Sequence, residues 1–341
     1  MKTIRQNSNK IAKILAKKRL QAFLVSKQVN ITYLTGHDFR GHAFVLYFKG
    51  KPYLLTDRRY ENEKLPGGLE LVIVKRDLAK KIKGILGRTK RLAVEDSLTL
   101  ARSRNLEKKF TIKALKGVIE EVRMIKEVDE IEKLEAACRL TKQVFQMIEK
   151  KLKPGLTEKK VAWEMEKFVR ERGADELAFG PIVAGGENGG KAHAELTDRK
   201  LRDGDLVTID FGVKLGAYHS DMTRTFKLGK VSKKQADILK TVKEAQKAAL
   251  AKIKPGVDIK SLDQTARDLI TKAGYGEYFS HASGHGVGLE IHEKPSLTSK
   301  AEGKLRPGMV FTVEPGIYLE DMGVRWEDTV LVTKVGCKIL T

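Results

Sequence analysis

The C-terminal part of the chain repeats itself. Lys151-Leu-Lys-Pro154-Gly155, followed by an apolar-periodic stretch from Thr157 to Gly173, recurs as Lys252-Ile-Lys-Pro255-Gly256 followed by Asp258 to Gly274. The prolines, their neighbouring glycines and the terminating glycines are all offset by 101 residues. Each Pro-Gly follows an amphipathic helical stretch, near Val128 to Leu152 and near Lys233 to Ile253, and apolar spacing predicts a second helix after it. Thr157 and Asp258 are the expected N-caps of these second helices, and Gly173 and Gly274 their C-caps. Helix, Pro-Gly, helix is cheap punctuation that can recur by chance, but a constant offset favours duplication. A duplicated αβ unit sets its two copies about a pseudo-twofold axis and brings what each copy carries at its end to that axis.

What each copy carries is an acid-bearing hairpin. In the segment from Leu206 to Phe226, apolar Val207, Ile209, Phe211 and Val213 alternate with other residues, the period of a strand. A tight turn at Leu215 and Gly216 sets Lys214 opposite Ala217 and, counting outward, Asp210 opposite Asp221. Near the C-terminus, Met309 to Pro315 and Val324 to Val332 flank the loop Tyr318 to Gly323, and symmetric pairing sets Glu314 opposite Glu327. Side chains directly opposed on a sheet have Cβ atoms about 5 Å apart, where like charges repel. Each pair therefore calls for a proton or a cation between its members. The competing reading is a set of solvated acids on exposed strand faces.

Histidines point to the same place. There are seven, none between residues 43 and 192, and His281, His285 and His292 fall together between the two acid pairs. Glycines at 284, 286 and 288 let backbone approach other groups closely around them. Their spacing is not that of a dinucleotide-binding fingerprint. Four carboxylates with one imidazole, His285, form a donor set for two divalent cations, and ligand type alone does not choose among Mn²⁺, Co²⁺, Zn²⁺ and Fe²⁺.

Residues from about 127 to 341 resemble the pita-bread catalytic domain of the creatinase, prolidase and methionine aminopeptidase superfamily. The motifs that carry the likeness are Phe179-Gly-Pro-Ile-Val183 with His193, Asp210-Phe-Gly, and Ser220-Asp221-Met-Thr-Arg-Thr225. They continue with His281-x-x-Gly-His285-Gly-Val-Gly, His292-Glu-x-Pro, Glu314-Pro-Gly and Arg325-Trp-Glu327-Asp328. Residues 1 to about 120, with Asn30-Ile-Thr-Tyr-Leu-Thr-Gly36 and Thr56-Asp-Arg-Arg-Tyr60, resemble the amino-terminal domain of the Xaa-Pro peptidase branch, aminopeptidase P and prolidase.

That resemblance implies an α/β (α+β) chain of two domains: a creatinase-like mixed αβ domain over 1–120 and a pita-bread metallopeptidase domain over 121–341. It implies that Asp210 holds one metal through both oxygens, that His285 and Glu314 hold the other, and that Asp221 and Glu327 bridge them. The implied activity is hydrolysis of the bond between an N-terminal residue and a following proline, in a peptide or a dipeptide, by a hydroxide shared between two ions, with Mn²⁺ or Co²⁺ favoured. Glu314 is implied as proton shuttle, His193 and His292 as catalytic neighbours, and His281, Arg325 and Tyr218 as substrate-side residues. A homodimer through the N-terminal domain is implied as well. Relatives often carry proline where this chain has Ala192, an aliphatic residue where it has Trp326 and a smaller residue where it has His219; these departures bear on pocket shape and substrate range.

The net charge of +22 is concentrated in the first domain. Residues 1–120 hold 28 Lys and Arg against 10 Asp and Glu, a net of +18, which leaves +4 for the rest. A basic domain attracts nucleic acid or other acidic partners. Here the basic residues are dispersed and no stacking aromatic series accompanies them, which argues against nucleic acid and for a solvated basic surface. A non-catalytic binding module using this domain is the alternative to the enzyme, but such a module is expected to have lost ligands, and all five are present. No apolar run approaches the 18 or so residues of a membrane span and the first ten residues lack an export core, so a cytoplasmic protein without membrane partners is expected. Cys138 and Cys337 are too few and too far apart for a disulfide scaffold or a thiolate metal site.

Overall fold

The computed structural model describes residues 4–341, with side chains from residue 9 onward. The chain forms two compact units, Met1–Arg123 and Met124–Thr341.

The first unit is one six-stranded sheet with helices on both faces. Its strands are β1 (Ala22–Val25), β2 (Ala43–Phe48), β3 (Lys51–Thr56), β4 (Glu70–Ile73), β5 (Arg91–Glu95) and β6 (Thr111–Leu115), in the order β4-β3-β2-β1-β5-β6. Its helices are α1 (Ile4–Lys17), α2 (Gln28–Thr35), α3 (Leu78–Leu86), α4 (Leu100–Glu107) and α5 (Val118–Arg123). β1 is buried throughout because successive side chains point to opposite faces and both faces are covered. Phe23 and Val25 pack with Ile11, Ile31 and Ile119, while Ala22 and Leu24 pack with Ile82, Leu86 and Leu106. Asn30, singled out in the sequence, is structural. It is fully buried, donates to Glu95 Oε1 at 2.6 Å and accepts from Arg123 Nη1 at 2.7 Å.

The second unit contains the two repeats. The first repeat supplies α6 (Val128–Lys151), α7 (Glu158–Arg170), β7 (Glu176–Leu177), β8 (Ile182–Gly185), β9 (Leu206–Phe211), β10 (Val213–Leu215), β11 (Tyr218–His219) and β12 (Met222–Lys227). The second supplies α8 (Lys233–Ala251), α9 (Lys260–Lys272), β13 (Gly284–Gly286), β14 (Glu293–Leu297), β15 (Val310–Val313), β16 (Gly316–Tyr318), β17 (Gly323–Arg325), β18 (Asp328–Val332) and β19 (Cys337–Ile339). α6 and α7 bury Val144, Ile148, Val161 and Met165 against Val207, Ile209 and Phe211 of β9. α8 and α9 do the same with Ile238, Val242, Leu262 and Ile270 against Phe311 and Val313 of β15. Both Pro-Gly turns place glycine at positive φ, Gly155 at 91° and Gly256 at 87°, where a side chain would be strained.

Thr157 caps α7 through its side chain, which accepts from Lys160 N–H at 3.1 Å. Asp258 does not cap α9. The capping position is Ile259, with no side-chain bond, and Asp258 contributes its backbone carbonyl to Ser261 instead. The chain there enters the helix already in helical conformation, so no side-chain acceptor is presented to the first turn.

The expected pairing of Asp210 with Asp221 is also corrected. The turn is formed by Gly216 and Ala217, both at positive φ, so Leu215 pairs with Tyr218 and Asp210 with Thr223. Asp221 is thereby the diagonal neighbour of Asp210, still on the same face because strand side chains alternate with a period of two. In the second hairpin Val313 pairs with Asp328 and Gly316 with Arg325, the register that sets Glu314 across from Glu327. Neither of these two acids lies in a ladder; both occupy the gap between β15–β18 and β16–β17. Among the described residues, no helix is long and apolar enough to cross a membrane.

Candidate metal centre

The two hairpins meet edge to edge. Thr223 of β12 bridges to Glu327, whose N–H donates to Thr223 O at 3.1 Å. Two residues on, Thr225 Oγ1 donates to Arg325 O at 2.9 Å. Contact at this seam turns the acid-bearing face of each repeat toward the other and defines one cleft of about 690 Å³, lined by Asp210, Asp221, His285, Glu314 and Glu327 together with His193, His281, His292 and Arg325.

His285 reaches the acids because of its backbone. The ladder between β13 and β14 shifts register between His285 and Gly286, a bulge that re-aims a side chain. Gly284 is required beside it, since a Cβ there would lie 2.0 Å from Thr312 O. The ring Nδ1 lies 3.1 Å from Gly286 O, which assigns the proton to Nδ1 and leaves the Nε2 lone pair for a ligand. Nε2 sits 3.4 Å from Asp221 Oδ2 and 3.3 Å from Glu314 Oε1. Ligand atoms of Asp221, His285 and Glu327 all lie within 4.8 Å of one another.

The carboxylates are under-compensated. Asp210 Oδ1, Asp221 Oδ1 and Glu327 Oε1 are buried with no hydrogen-bond partner, which is costly for an ionised group. Burial, reinforced by the neighbouring acids, pushes Asp221 and Glu327 well above the usual carboxylate range. The other oxygens are engaged: Thr223 Oγ1 donates to Glu327 Oε2 at 2.6 Å, Thr312 Oγ1 to Glu314 Oε1 at 3.0 Å, and Arg325 Nη2 to Asp210 Oδ2 at 2.7 Å. One guanidinium against four carboxylates leaves a deficit of positive charge. Buried oxygens without partners, in one cleft with an imidazole lone pair, fit divalent cations. Arg325 occupies one oxygen of Asp210, so Oδ1 is the freer donor of that residue.

Arg325 is itself buried and held in place. Burial opposes its charge, but Tyr318, Asp210 and Glu314 outweigh it and stabilise the cation. It donates to Tyr318 OH at 2.6 Å and to Ala192 O at 3.1 Å. Tyr318 in turn lies 2.9 Å from His281 Nε2, while His281 Nδ1 lies 2.8 Å from Ala282 O. The proton order is therefore Arg325 to Tyr318 to His281. Burial pushes the Tyr318 phenol up to about 12 and His281 below its ordinary value. His292 packs edge-on against His285, ring centroids 4.2 Å apart, and is lowered by burial and by that neighbour.

Tyr318 was not singled out in the sequence. Its signal is place: it closes β16 on the hairpin whose return strand, β17, carries Arg325. Tyr218, expected on the substrate side, does not line the cleft. Its buried hydroxyl donates to Glu130 of α6 at 3.2 Å, because the turn directs it back onto the helix. Of the departures, Trp326 does not line the cleft and packs against two cations, Lys243 Nζ at 3.7 Å and Arg224 Cζ at 4.6 Å from its ring. His219 is buried beside Gly288, whose carbonyl takes its N–H at 2.8 Å.

Residues 132–334 match metallopeptidase family M24, and residues 8–125 match the creatinase/prolidase N-terminal domain. The chain is a member of metallopeptidase family M24. As such it is a hydrolase that uses divalent metal. The Xaa-Pro dipeptidase of Pyrococcus furiosus is 36% identical over 342 residues, covering 99% of this chain and 98% of that one. Among solved structures, the prolidase from Pyrococcus horikoshii OT3 superposes with a TM-score of 0.91 at 36% identity, covering 98% of each chain. The X-Pro aminopeptidase from Thermotoga maritima MSB8 does so at 0.85 with 33% identity, covering 94% of this chain and 95% of that one.

Proposed function

We propose that this M24 peptidase releases an N-terminal residue from a following proline, with two divalent ions, Mn²⁺ or Co²⁺, held by Asp210, Asp221, His285, Glu314 and Glu327. The observation that carries the reading is a cleft in which ligand atoms of Asp221, Glu327 and His285 lie within 4.8 Å of one another while Asp210, Asp221 and Glu327 each keep a buried oxygen without a hydrogen-bond partner. Its substrate class comes from relatives of matching length named Xaa-Pro dipeptidase and prolidase. The dipeptide is the expected substrate; the aminopeptidase relative makes the tripeptide the comparison that matters.

Bound ions would lower the pKa of a shared water and polarise the scissile carbonyl. The chain's own residues do the rest. Glu314 stands at the edge of the acid cluster with Oε1 held by Thr312, a position from which its carboxylate can take a proton from water and pass it to the leaving amine. His193 and His292, both lining the cleft, supply donors to the oxyanion that develops on the carbonyl. His281, its Nδ1 proton committed to Ala282 O, presents a neutral ring to the proline side. Apolar Phe179, Ile182 and Ile291 line the same cleft and suit a pyrrolidine ring better than a charged side chain.

Purified protein, stripped of metal and reloaded with Mn²⁺ or Co²⁺, is assayed on Xaa-Pro and Xaa-Pro-Xaa substrates. Metal-dependent release of the first residue is expected, faster with the dipeptide; no metal-dependent turnover on either sinks the reading. A homodimer belongs to the same proposal, on the strength of the likeness to the Xaa-Pro peptidase branch. Light scattering tests it against the monomer mass of 38.2 kDa.

A further inference from the structure

Glu158, the first residue of α7, is fully buried, yet it does not line the cleft. Its carboxylate is held by neutral donors. Oε1 accepts from Gly185 N–H at 2.9 Å, and Oε2 accepts from Asn188 Nδ2 at 2.8 Å, Thr197 N–H at 3.1 Å and Thr197 Oγ1 at 2.6 Å. These donors come from both stems of the segment 185–197, which carries His193. Asn188 Nδ2 reaches back across the segment to Glu195 O at 3.0 Å.

From the cleft side, Arg325 Nη1 donates to Ala192 O at 3.1 Å. The segment also presses on the β16–β17 hairpin so closely that a Cβ on Gly190 would lie 2.1 Å from Leu319 O. His193 is thus carried by backbone clamped from two directions, with Glu158 tying the stems together.

The second repeat uses the same device. Asp263 of α9, also fully buried, accepts from Ser283 Oγ at 2.7 Å and Ser283 N–H at 3.3 Å. Ser283 lies between His281 and His285, and its carbonyl accepts Glu314 N–H at 2.9 Å. In each repeat the second helix sends one buried acid into the backbone that carries the histidines of the cleft.

We infer that Glu158 is a positioning residue for His193: by binding both stems of the 185–197 segment it fixes where that imidazole stands over the scissile carbonyl. The inference rests on the role proposed above for His193. A carboxylate suits the task because both oxygens only accept. Glutamine has the same shape but turns an N–H₂ toward a pocket lined with donors, which breaks at least one of these bonds.

The test is a kinetic cycle on metal-loaded, full-length protein with an Xaa-Pro dipeptide, comparing parent, Glu158→Gln, His193→Ala and the double variant, with bound metal measured in each. Glu158→Gln is expected to lower kcat on the order of 10- to 100-fold, as a displaced catalytic group does. KM and metal content should stay near parental, because an interaction made in the transition state is lost rather than ground-state binding. Added to His193→Ala, it should change kcat by less than about twofold, since coupled residues are not additive.

Parental kcat in Glu158→Gln beside an impaired His193→Ala overturns the positioning role alone. Parental kcat in His193→Ala overturns the role of His193, and the inference with it. The same fold-loss in both backgrounds, or loss of metal, makes Glu158 a general structural residue and overturns the inference too. If Glu158→Gln does not fold, Thr197→Val, which removes the 2.6 Å donor, enters the cycle in its place and the same outcomes decide.

Discussion

Thr223 and Glu327 are bonded twice across the seam between the repeats. The Glu327 N–H donates to Thr223 O at 3.1 Å, and Thr223 Oγ1 donates to Glu327 Oε2 at 2.6 Å. Arg224, the next residue along β12, donates to Glu327 O and, at 2.6 Å, to Asp328 Oδ1. One repeat therefore orients a carboxylate that the other supplies. Removing the hydroxyl with Thr223→Val keeps shape and backbone but leaves Oε2 of a buried acid without that donor. Partners behind a metal ligand are worth about 10- to 100-fold in affinity. Isothermal titration of the stripped protein with Mn²⁺ should show a loss in that range, and parental affinity would remove Thr223 from the orientation of Glu327.

Asp221 and Glu327 should be harder to lose than any supporting residue. Both are almost fully buried, each keeps one oxygen without a hydrogen-bond partner, and both have a ligand atom within 4.8 Å of one on His285. Asp221→Asn and Glu327→Gln, which preserve volume, should each abolish stoichiometric metal binding and turnover. Retention of full metal content by either variant, measured by atomic emission after gel filtration, refutes its assignment as a ligand.

How the site was legible in the sequence follows from the period of a strand. The Glu314–Glu327 relationship could be counted from the flanks of a symmetric loop, and Val313 with Asp328 and Gly316 with Arg325 bear out that register. The count for Asp210 and Asp221 slipped by two residues because Ala217 adopts positive φ, at 69°, which a residue of its type does not advertise. A slip of two leaves every side chain on its own face, so the acids still converge; a slip of one would have turned Asp221 away from Asp210. Tyr218, which the resemblance implied on the substrate side, does not line the cleft, because the turn before it sends its hydroxyl onto Glu130 of α6. Glu158 was invisible for the opposite reason: its partners are 27 to 39 residues away and meet it only once α7 has packed on β8.

The raised proton affinity of Asp221 and Glu327 has a sign that can be checked. A carboxylate whose folded value is raised contributes stability below its unfolded value, about 4, and loses it as pH rises through the folded value. Metal-free protein should therefore be destabilised by these two groups as pH goes from 5 to 8. His219, His281 and His292, all lowered chiefly by burial, act in the opposite sense over the same range. The comparison must keep them constant. With chelator present, the melting temperature of the parent should fall relative to that of the D221N/E327Q variant as pH rises, and added metal should stabilise the parent more at pH 8 than at pH 5, since binding releases the protons. Parallel curves for the chelated proteins would contradict the raised values.

Tyr318 joins Arg325, beside the acid cluster, to His281, which the proposed function sets on the proline side. Its hydroxyl accepts from Arg325, which grips Asp210, and donates to His281. Tyr318→Phe deletes only that oxygen. Arg325 keeps its bond to Asp210, so metal binding should survive with little change. His281 Nε2 loses its donor, leaving the ring held on one side by its Nδ1 bond to Ala282 O, and Arg325 Nη1 loses one of its two acceptors. A buried hydrogen bond of this kind, involving a charged group, is worth about 1.5–3 kcal/mol, or roughly 10- to 100-fold in kcat/KM where the geometry serves the reaction. The loss should fall mainly on the proline side, so substrates that replace proline by alanine should be discriminated against less strongly by the variant than by the parent. Equal losses for both substrates would place Tyr318 in general support of Arg325 rather than in recognition of the ring.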